Sequence, residues 1–304
     1  MSVETDQSQL TQEETGPCPA VMSIIAADEH DLGGFSVRRC LPSRQHRMVG
    51  PWIFFDHFGP VTFPDGKGVD VRPHPHINLA TVTYLFEGEM YHRDSLGNAL
   101  AIAPGAINLM VAGKGIVHSE RQREEIKATG NKLHGLQLWL ALPEKDEEID
   151  PAFYHYDAGD IPEVNIDSIM AKVLIGSAFG VTSPVKTFAD TLYVEARLQA
   201  GQSLKVPESV VERAIYVVSG QLDIEGNTIN AHTMAVLQSK PGVEVSARES
   251  TRIAIVGGEK LSHRHIWWNF VSSRKERIEQ AKQDWKSGAY PKIPGDEIEY
   301  IPLP

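Results

Sequence analysis

Residues 72–120 read RPHPHINLATVTYLFEGEMYHRDSLGNALAIAPGAINLMVAGKGIVHSE. The stretch opens on His74-Pro75-His76 and closes on His118-Ser119-Glu120. In an extended strand, side chains at i and i+2 share a face. His74 and His76 therefore point to one side of their strand, and His118 and Glu120 to one side of theirs. If the two strands face each other, three imidazoles and one carboxylate converge, a ligand set for a divalent transition metal. Between the pairs, Thr81–Phe86 and Met90–Asp94 read as strands, punctuated by Glu87-Gly88-Glu89, Ser95-Leu96-Gly97-Asn98 and Pro104-Gly105. Short strands at regular spacing with such punctuation predict an all-β barrel or jelly roll, which can bury a metal between its sheets.

These residues carry a resemblance. The His-x-His pair, the Glu87-Gly88 turn, Pro104-Gly105 and His118 look like the two motifs of the cupin superfamily. The strings HPHINLATVTYLFEGEMYHRDSLGN, APGAINLMVAGKGIVHSE and LHGLQLWLALP resemble the pirin family in particular, densely from about Phe54 to Pro143 and more thinly beyond. The resemblance implies a bicupin, two cupin domains in tandem. It also implies that His74, His76, His118 and Glu120 bind one metal, usually iron, leaving two octahedral positions open. One departure stands at Ala80: the family usually has a Glu four residues after the second His. That substitution predicts the loss of a carboxylate from the substrate side of the pocket, with the four ligands intact.

The chain has 304 residues, room for two cores, and a formal net charge of −11. That charge argues against direct nucleic-acid binding, which depends on Lys and Arg. Cys18 and Cys40 make no spaced metal motif or disulfide framework, which suits a reducing cytoplasm. No apolar run is long enough to span a bilayer. Residues 1–20 are polar, lack an apolar signal core and read as a flexible tail.

Val21–Ala27 and Phe35–Leu41 read as two strands joined at Leu32-Gly33-Gly34. Asp56 and His57 read as loop-holding residues rather than metal ligands, although His57 has the chemistry of a proton shuttle. His92 reads as part of a hairpin tied by Arg93 and Asp94. After the charged connector 121–132, Leu133–Leu142 is a strand with Leu136, Leu138, Leu140 and Leu142 on one face, and Gln137 and Trp139 on the other. Gln137 is thus a candidate hydrogen-bonding residue behind a ligand or substrate.

An acidic loop near residue 150 suggests a boundary between a metal-binding domain at 21–150 and a second domain at 151–304. In the second half, AIYVVSGQLDI is placed like VTYLFEGEM in the first, an internal duplication. Pro207-Glu208-Ser209 stands where a His-x-His pair is expected, and His232 is isolated, so this half reads as a metal-free structural lid or interface. Arg274–Trp285 has helical spacing and is ended by Gly288 and Pro291. His263 and His265 read as structural.

The function implied is that of a metal-dependent dioxygenase resembling quercetin 2,3-dioxygenase, acting on a small flavonol-like aromatic. Fe(II) is the expected ion, with Mn, Ni, Cu, Co or Zn compatible with the ligand types. Glu120 would serve as ligand and as base for the substrate hydroxyl. The competing class is an iron-dependent regulator that binds a protein partner, a co-regulator of transcription or a modulator of a metabolic enzyme.

Overall fold

A computed structural model describes residues 19–31 and 34–304. The predicted tail up to residue 18, Cys18, and Leu32-Gly33 of the predicted turn lie outside the described residues. The fold is all-β: two cupin domains in tandem and a short C-terminal helix. The chain begins with β1 (Val21–Ala26), β2 (Asp28–Asp31), β3 (Ser36–Leu41) and β4 (Trp52–Phe63). The segment holding the motifs forms β5 (Asp70–His76), β6 (Leu79–Glu87), β7 (Met90–Asp94), β8 (Ala99–Ile102), β9 (Ile107–Val111) and β10 (Ile116–Arg121). A single helical turn, α1 (Glu124–Lys127), leads to β11 (Asn131–Ala141), and β12 (Ala152–Tyr156) follows.

The first barrel packs a seven-stranded sheet, β12-β9-β6-β11-β4-β3-β2, on a four-stranded sheet, β5-β10-β7-β8. The second barrel repeats both orders. Its large sheet runs β1, Thr233–Leu237, Glu212–Ser219, Thr251–Gly258, Thr191–Leu198, Ile169–Ile175 and Glu163–Ile166. Its small sheet runs Ser203–Lys205, Glu244–Ala247, Gln221–Ile224 and Asn227–Asn230. The duplicated strings occupy matching places: β6 leads through Gly88 into β7, and Glu212–Ser219 leads through Gly220 into Gln221–Ile224. Both glycines have positive φ, +92° and +83°. Alternation gives the central strands one face for each barrel and one for the layer between them. Phe55, Val82, Tyr84, Leu136, Leu138 and Leu140 pack with Tyr193, Tyr216 and Met234 in a single interbarrel core.

Two connections differ from the sequence prediction. β1 does not pair with β3; it adds to the edge of the second barrel's large sheet, Ile24 opposite Ala235 and Ile25 opposite Met234. The hairpin formed with β3 is that of β2, Asp28 opposite Arg39. The physical reason is burial. Ile25 enters the interbarrel core, which a local hairpin at the rim would not offer. At the other end, the chain returns to the first barrel. The hairpin His265–Trp267/Phe270–Ser272 bridges it through Phe270 and Ile77, and α2 (Lys275–Ser287) packs Ile278 and Ala281 against the same pair. Gly288, at φ +72°, closes α2 with its N–H toward Asp284 and Trp285, in the left-handed conformation that a glycine cap adopts without strain. No helix among the described residues is long and apolar enough to cross a membrane.

Candidate metal centre

β5 and β10 are neighbours in the small sheet, and their register sets His118 directly opposite His74. His76 follows on the same face of β5. The ligand atoms of His74, His76 and His118 all lie within 4.8 Å of one another, and all three residues are buried. His74 Nδ1 donates to the Arg72 carbonyl at 2.8 Å, and His76 Nδ1 donates to the Asn269 carbonyl at 3.1 Å. With Nδ1 protonated, Nε2 carries the lone pair, the arrangement in which a backbone acceptor orients a metal-binding imidazole. The Nε2 atoms of His76 and His118 stand 3.1 Å apart, facing a common point.

Burial disfavours the imidazolium form of all three. It lowers His74 to about 4 and holds His76 and His118 well below the ordinary histidine value, and the neighbouring rings add to the effect on those two. Neutral imidazoles with converged Nε2 atoms are the state a divalent ion requires. The donor set therefore fits a divalent transition metal.

Glu120 lies beside this group rather than within it. A register shift between His118 and Glu120 sets Glu120 opposite Val71, and the carboxylate lines the cavity that His74 also lines. Among the described residues it has no hydrogen-bond partner, and burial pushes its carboxyl up to about 7. Gln137 lines the same cavity, with Oε1 accepting from Thr83 Oγ1 at 2.8 Å. His92 stays outside the group. It bonds Asp94 at 3.0 Å and stacks on Phe153, while Asp94 ties the hairpin by accepting from Leu96 and Asn98.

Three expectations are corrected. Ala80 does not face the cavity. It pairs with Leu140 and belongs to the interbarrel core, whereas Thr81 opposite Trp139 and Thr83 opposite Gln137 occupy the cavity face. A Glu at this position would enter an apolar layer, so its absence removes nothing from the cavity wall. Asp56 and His57 are not loop residues; both lie inside β4 and point to opposite sides. Asp56 receives Arg39 through Nε and Nη2, both at 2.7 Å, in the cavity wall. His57 faces the second barrel, with Nδ1 2.8 Å from Tyr216 Oη and Nε2 2.8 Å from His134 Nε2. His232 is likewise not isolated, since its ring lies 5.4 Å from that of His57.

The cavity has a volume of about 370 Å³, within the range of small-molecule sites. One wall is an aromatic ladder. Trp139 meets the His76 ring edge-on at 5.0 Å, Phe54 stacks on Trp139 at 3.9 Å and 11°, and the Arg39 guanidinium lies over Phe54 at 4.3 Å. Asp56 was read from the sequence only as holding a loop, and Arg39, Trp268, Asn269 and Ile301 were not singled out. Arg39 and Asp56 had a signal in the alternation of β3 and β4; the last three come from the far end of the chain, where no local pattern marks them. In the second barrel the positions equivalent to β5 and β10 are Ser203–Lys205 and Glu244–Ala247, and Leu204, Val206, Val243 and Val245 fill the interior with aliphatic side chains.

Comparison with known proteins agrees with this architecture. The family model for pirin matches residues 34–140, and that for the pirin C-terminal cupin domain matches residues 193–291. A pirin-like protein of Caulobacter vibrioides is 45% identical over 92% of this chain and 98% of its own length. Human pirin is 31% identical over 88% of this chain and 91% of its own. A crystal structure of quercetin 2,3-dioxygenase from Acinetobacter baumannii superposes with a TM-score of 0.86 at 34% identity, covering 93% of this chain and 94% of that one.

Proposed function

This chain belongs to the pirin family, and from that premise we propose that it is an Fe(II)-dependent dioxygenase acting on a flavonol-like aromatic. The observation that carries the proposal is that three converged neutral imidazoles open, through His74, onto a cavity with a planar aromatic wall. The likeness to the 34%-identical quercetin 2,3-dioxygenase of Acinetobacter baumannii supports the substrate class.

His74, His76 and His118 would hold the ion. When bound, it would supply Lewis acidity toward a deprotonated substrate oxygen and redox access to dioxygen. The protein's own contribution follows from the cavity. Phe54 and Trp139 present a stacked face along which a planar ring system can lie. Glu120, unpaired in the same cavity, is placed to complete the ligand set or to take up the substrate's hydroxyl proton. Thr83 engages Gln137 Oε1, which leaves the amide N–H groups as donors toward a bound oxygen. The burial of the three imidazoles keeps the lone pairs out of bulk solvent.

Anaerobic reconstitution of metal-free protein with Fe(II), followed by O2-uptake and CO assays on a flavonol panel, tests the proposal. The expected result is one ion per chain and metal-dependent O2 uptake that His118→Ala abolishes and Glu120→Gln strongly reduces. Stoichiometric binding with no O2 uptake on any flavonol would overturn the dioxygenase assignment and favour metal-dependent binding of a protein partner.

A further inference from the structure

β5 is the edge strand of the small sheet, and its free edge carries the backbone beside His74. The C-terminal strap, residues 296–304, meets that edge at Ile301. The Ile301 N–H donates to the Pro73 carbonyl at 2.8 Å, and the Ile301 carbonyl accepts from Trp285 Nε1 of α2 at 3.0 Å. Both peptide groups of Ile301 are thus fixed, one to the metal-bearing strand and one to the helix, and its side chain lines the metal cavity.

The strap is also tied to β10. Alternation along β10 turns His118 and Glu120 toward the cavity and Ser119 and Arg121 the other way. Ser119 Oγ donates to Asp296 at 2.7 Å. Arg121 grips Asp296 through Nε and Nη2, each at 2.8 Å, and reaches Glu299 at 3.0 Å. Each of the two strands that present the histidines therefore holds one point of the strap. Between those clamps the packing is open: a second cavity of about 650 Å³ lies between the strap and the end of α2, and Ile298 and Tyr300 are exposed. Position 301 is set by a few polar bonds and has room behind it.

We propose that Ile301 is a specificity-determining residue, a wall of the metal cavity whose bulk sets how large a planar aromatic the site admits. This rests on the cavity being the substrate site. It adds that the size limit is delivered from the C-terminus and not by the barrel strands. In an apolar pocket one methylene more or less changes selectivity by about ten- to two-hundredfold, so a change of three carbons at one wall should be readable.

The experiment uses Fe(II)-loaded protein under anaerobic conditions. Tryptophan fluorescence reports the binding of catechol, a one-ring probe, and quercetin, a three-ring probe, to the wild type, Ile301→Ala and Ile301→Trp. The quantity read is the ratio of the two dissociation constants, quercetin over catechol. Ile301→Ala should lower that ratio about tenfold and Ile301→Trp should raise it by at least as much. Opposite shifts cannot come from general loosening of the fold. A ratio unchanged in both variants, a shift of the same sign in both, or no binding of either probe to the wild type would overturn the inference. Opposite shifts, in a protein that consumes no O2 when the same flavonols are assayed in air, would uphold the role of Ile301 while removing the dioxygenase assignment.

Discussion

His57 provides a direct test of how the two barrels are joined. It is fully buried in β4 between Tyr216 of the second barrel and His134 of the first. Burial, followed by the neighbouring His134, His232 and Arg38, lowers its imidazole from 6.5 to about 2. The proton therefore binds the unfolded chain more tightly than the folded one. The stabilisation from keeping His57 neutral is complete above pH 6.5 and is lost as pH falls from there toward about 2. The slope is about 1.4 kcal/mol per pH unit for one group, or roughly 3 kcal/mol between pH 6.5 and 4.5. His57→Gln keeps a donor and an acceptor but does not titrate. At pH 7.5 it should be less stable than the wild type by about 1–3 kcal/mol, the cost of imperfect buried hydrogen bonds. As pH falls the gap should close, because only the wild type acquires the extra proton on unfolding. Urea unfolding of metal-free protein at half-unit pH steps, followed by tryptophan fluorescence with the m-value held as a control, measures both slopes. Parallel stability curves would refute the reasoning, since they would mean that His57 binds the same number of protons in both states.

Two further predictions concern the frame around the metal site. Arg264 and Glu147, both 2% exposed, form an ion pair at 2.9 Å, and Glu147 also accepts from Ser273 N at 2.7 Å, pinning the returning C-terminal segment on the first barrel. Glu147→Ala strands a buried guanidinium and should cost about 3–5 kcal/mol in urea unfolding, with Arg264→Met in the same chain recovering most of it; a single-variant loss below about 1 kcal/mol would show that the pair is solvated. Gly88→Ala places a Cβ 2.1 Å from the Lys132 carbonyl oxygen at φ +92°, while Gly97→Ala at φ +91° meets nothing within 4 Å. Both should lose about 1 kcal/mol or more to backbone strain, and equal thermal shifts for the two would sink the close-approach argument at Gly88.

What the sequence made legible was whatever repeats with a local period. The i, i+2 spacing of His74/His76 and His118/Glu120 marked the strands of the candidate metal centre, and the alternation around Leu138 separated the interbarrel face from the face bearing Gln137 and Trp139. Pairing partners were not legible. β1 and β3 lie close in sequence and fit a hairpin by propensity, yet β1 is consumed by a strand more than 200 residues away because an interior place is open there. Ala80 was misread for a related reason: its distance from His76 was known, but the side of β6 it occupies depends on register with β11. Asn269, whose carbonyl fixes His76, and Ile301, held by backbone bonds to Pro73 and Trp285, carry no signature, since their places are set by partners far away in the chain.

The second barrel has a physical role in the site. β4 and β11 each present one face to the cavity and the other to the interbarrel core. On β4, Phe54 and Asp56 line the cavity while Phe55 and His57 face the second barrel. The second barrel grips that outer face with directional bonds as well as apolar contact. Trp52 Nε1 donates to the carbonyls of Leu192 and Gly257 at 3.1 and 3.0 Å, and Tyr84 Oη donates to Glu195 at 2.5 Å. Aromatic stacking against a substrate requires walls that do not yield, because dispersion attraction falls away within about an ångström of the optimum. A sheet with one solvated face would flex; one clamped from behind holds Phe54, Trp139 and Gln137 in place. The aliphatic filling of the second barrel, from Leu204 to Val245, gives the clamp behind the site a close-packed interior.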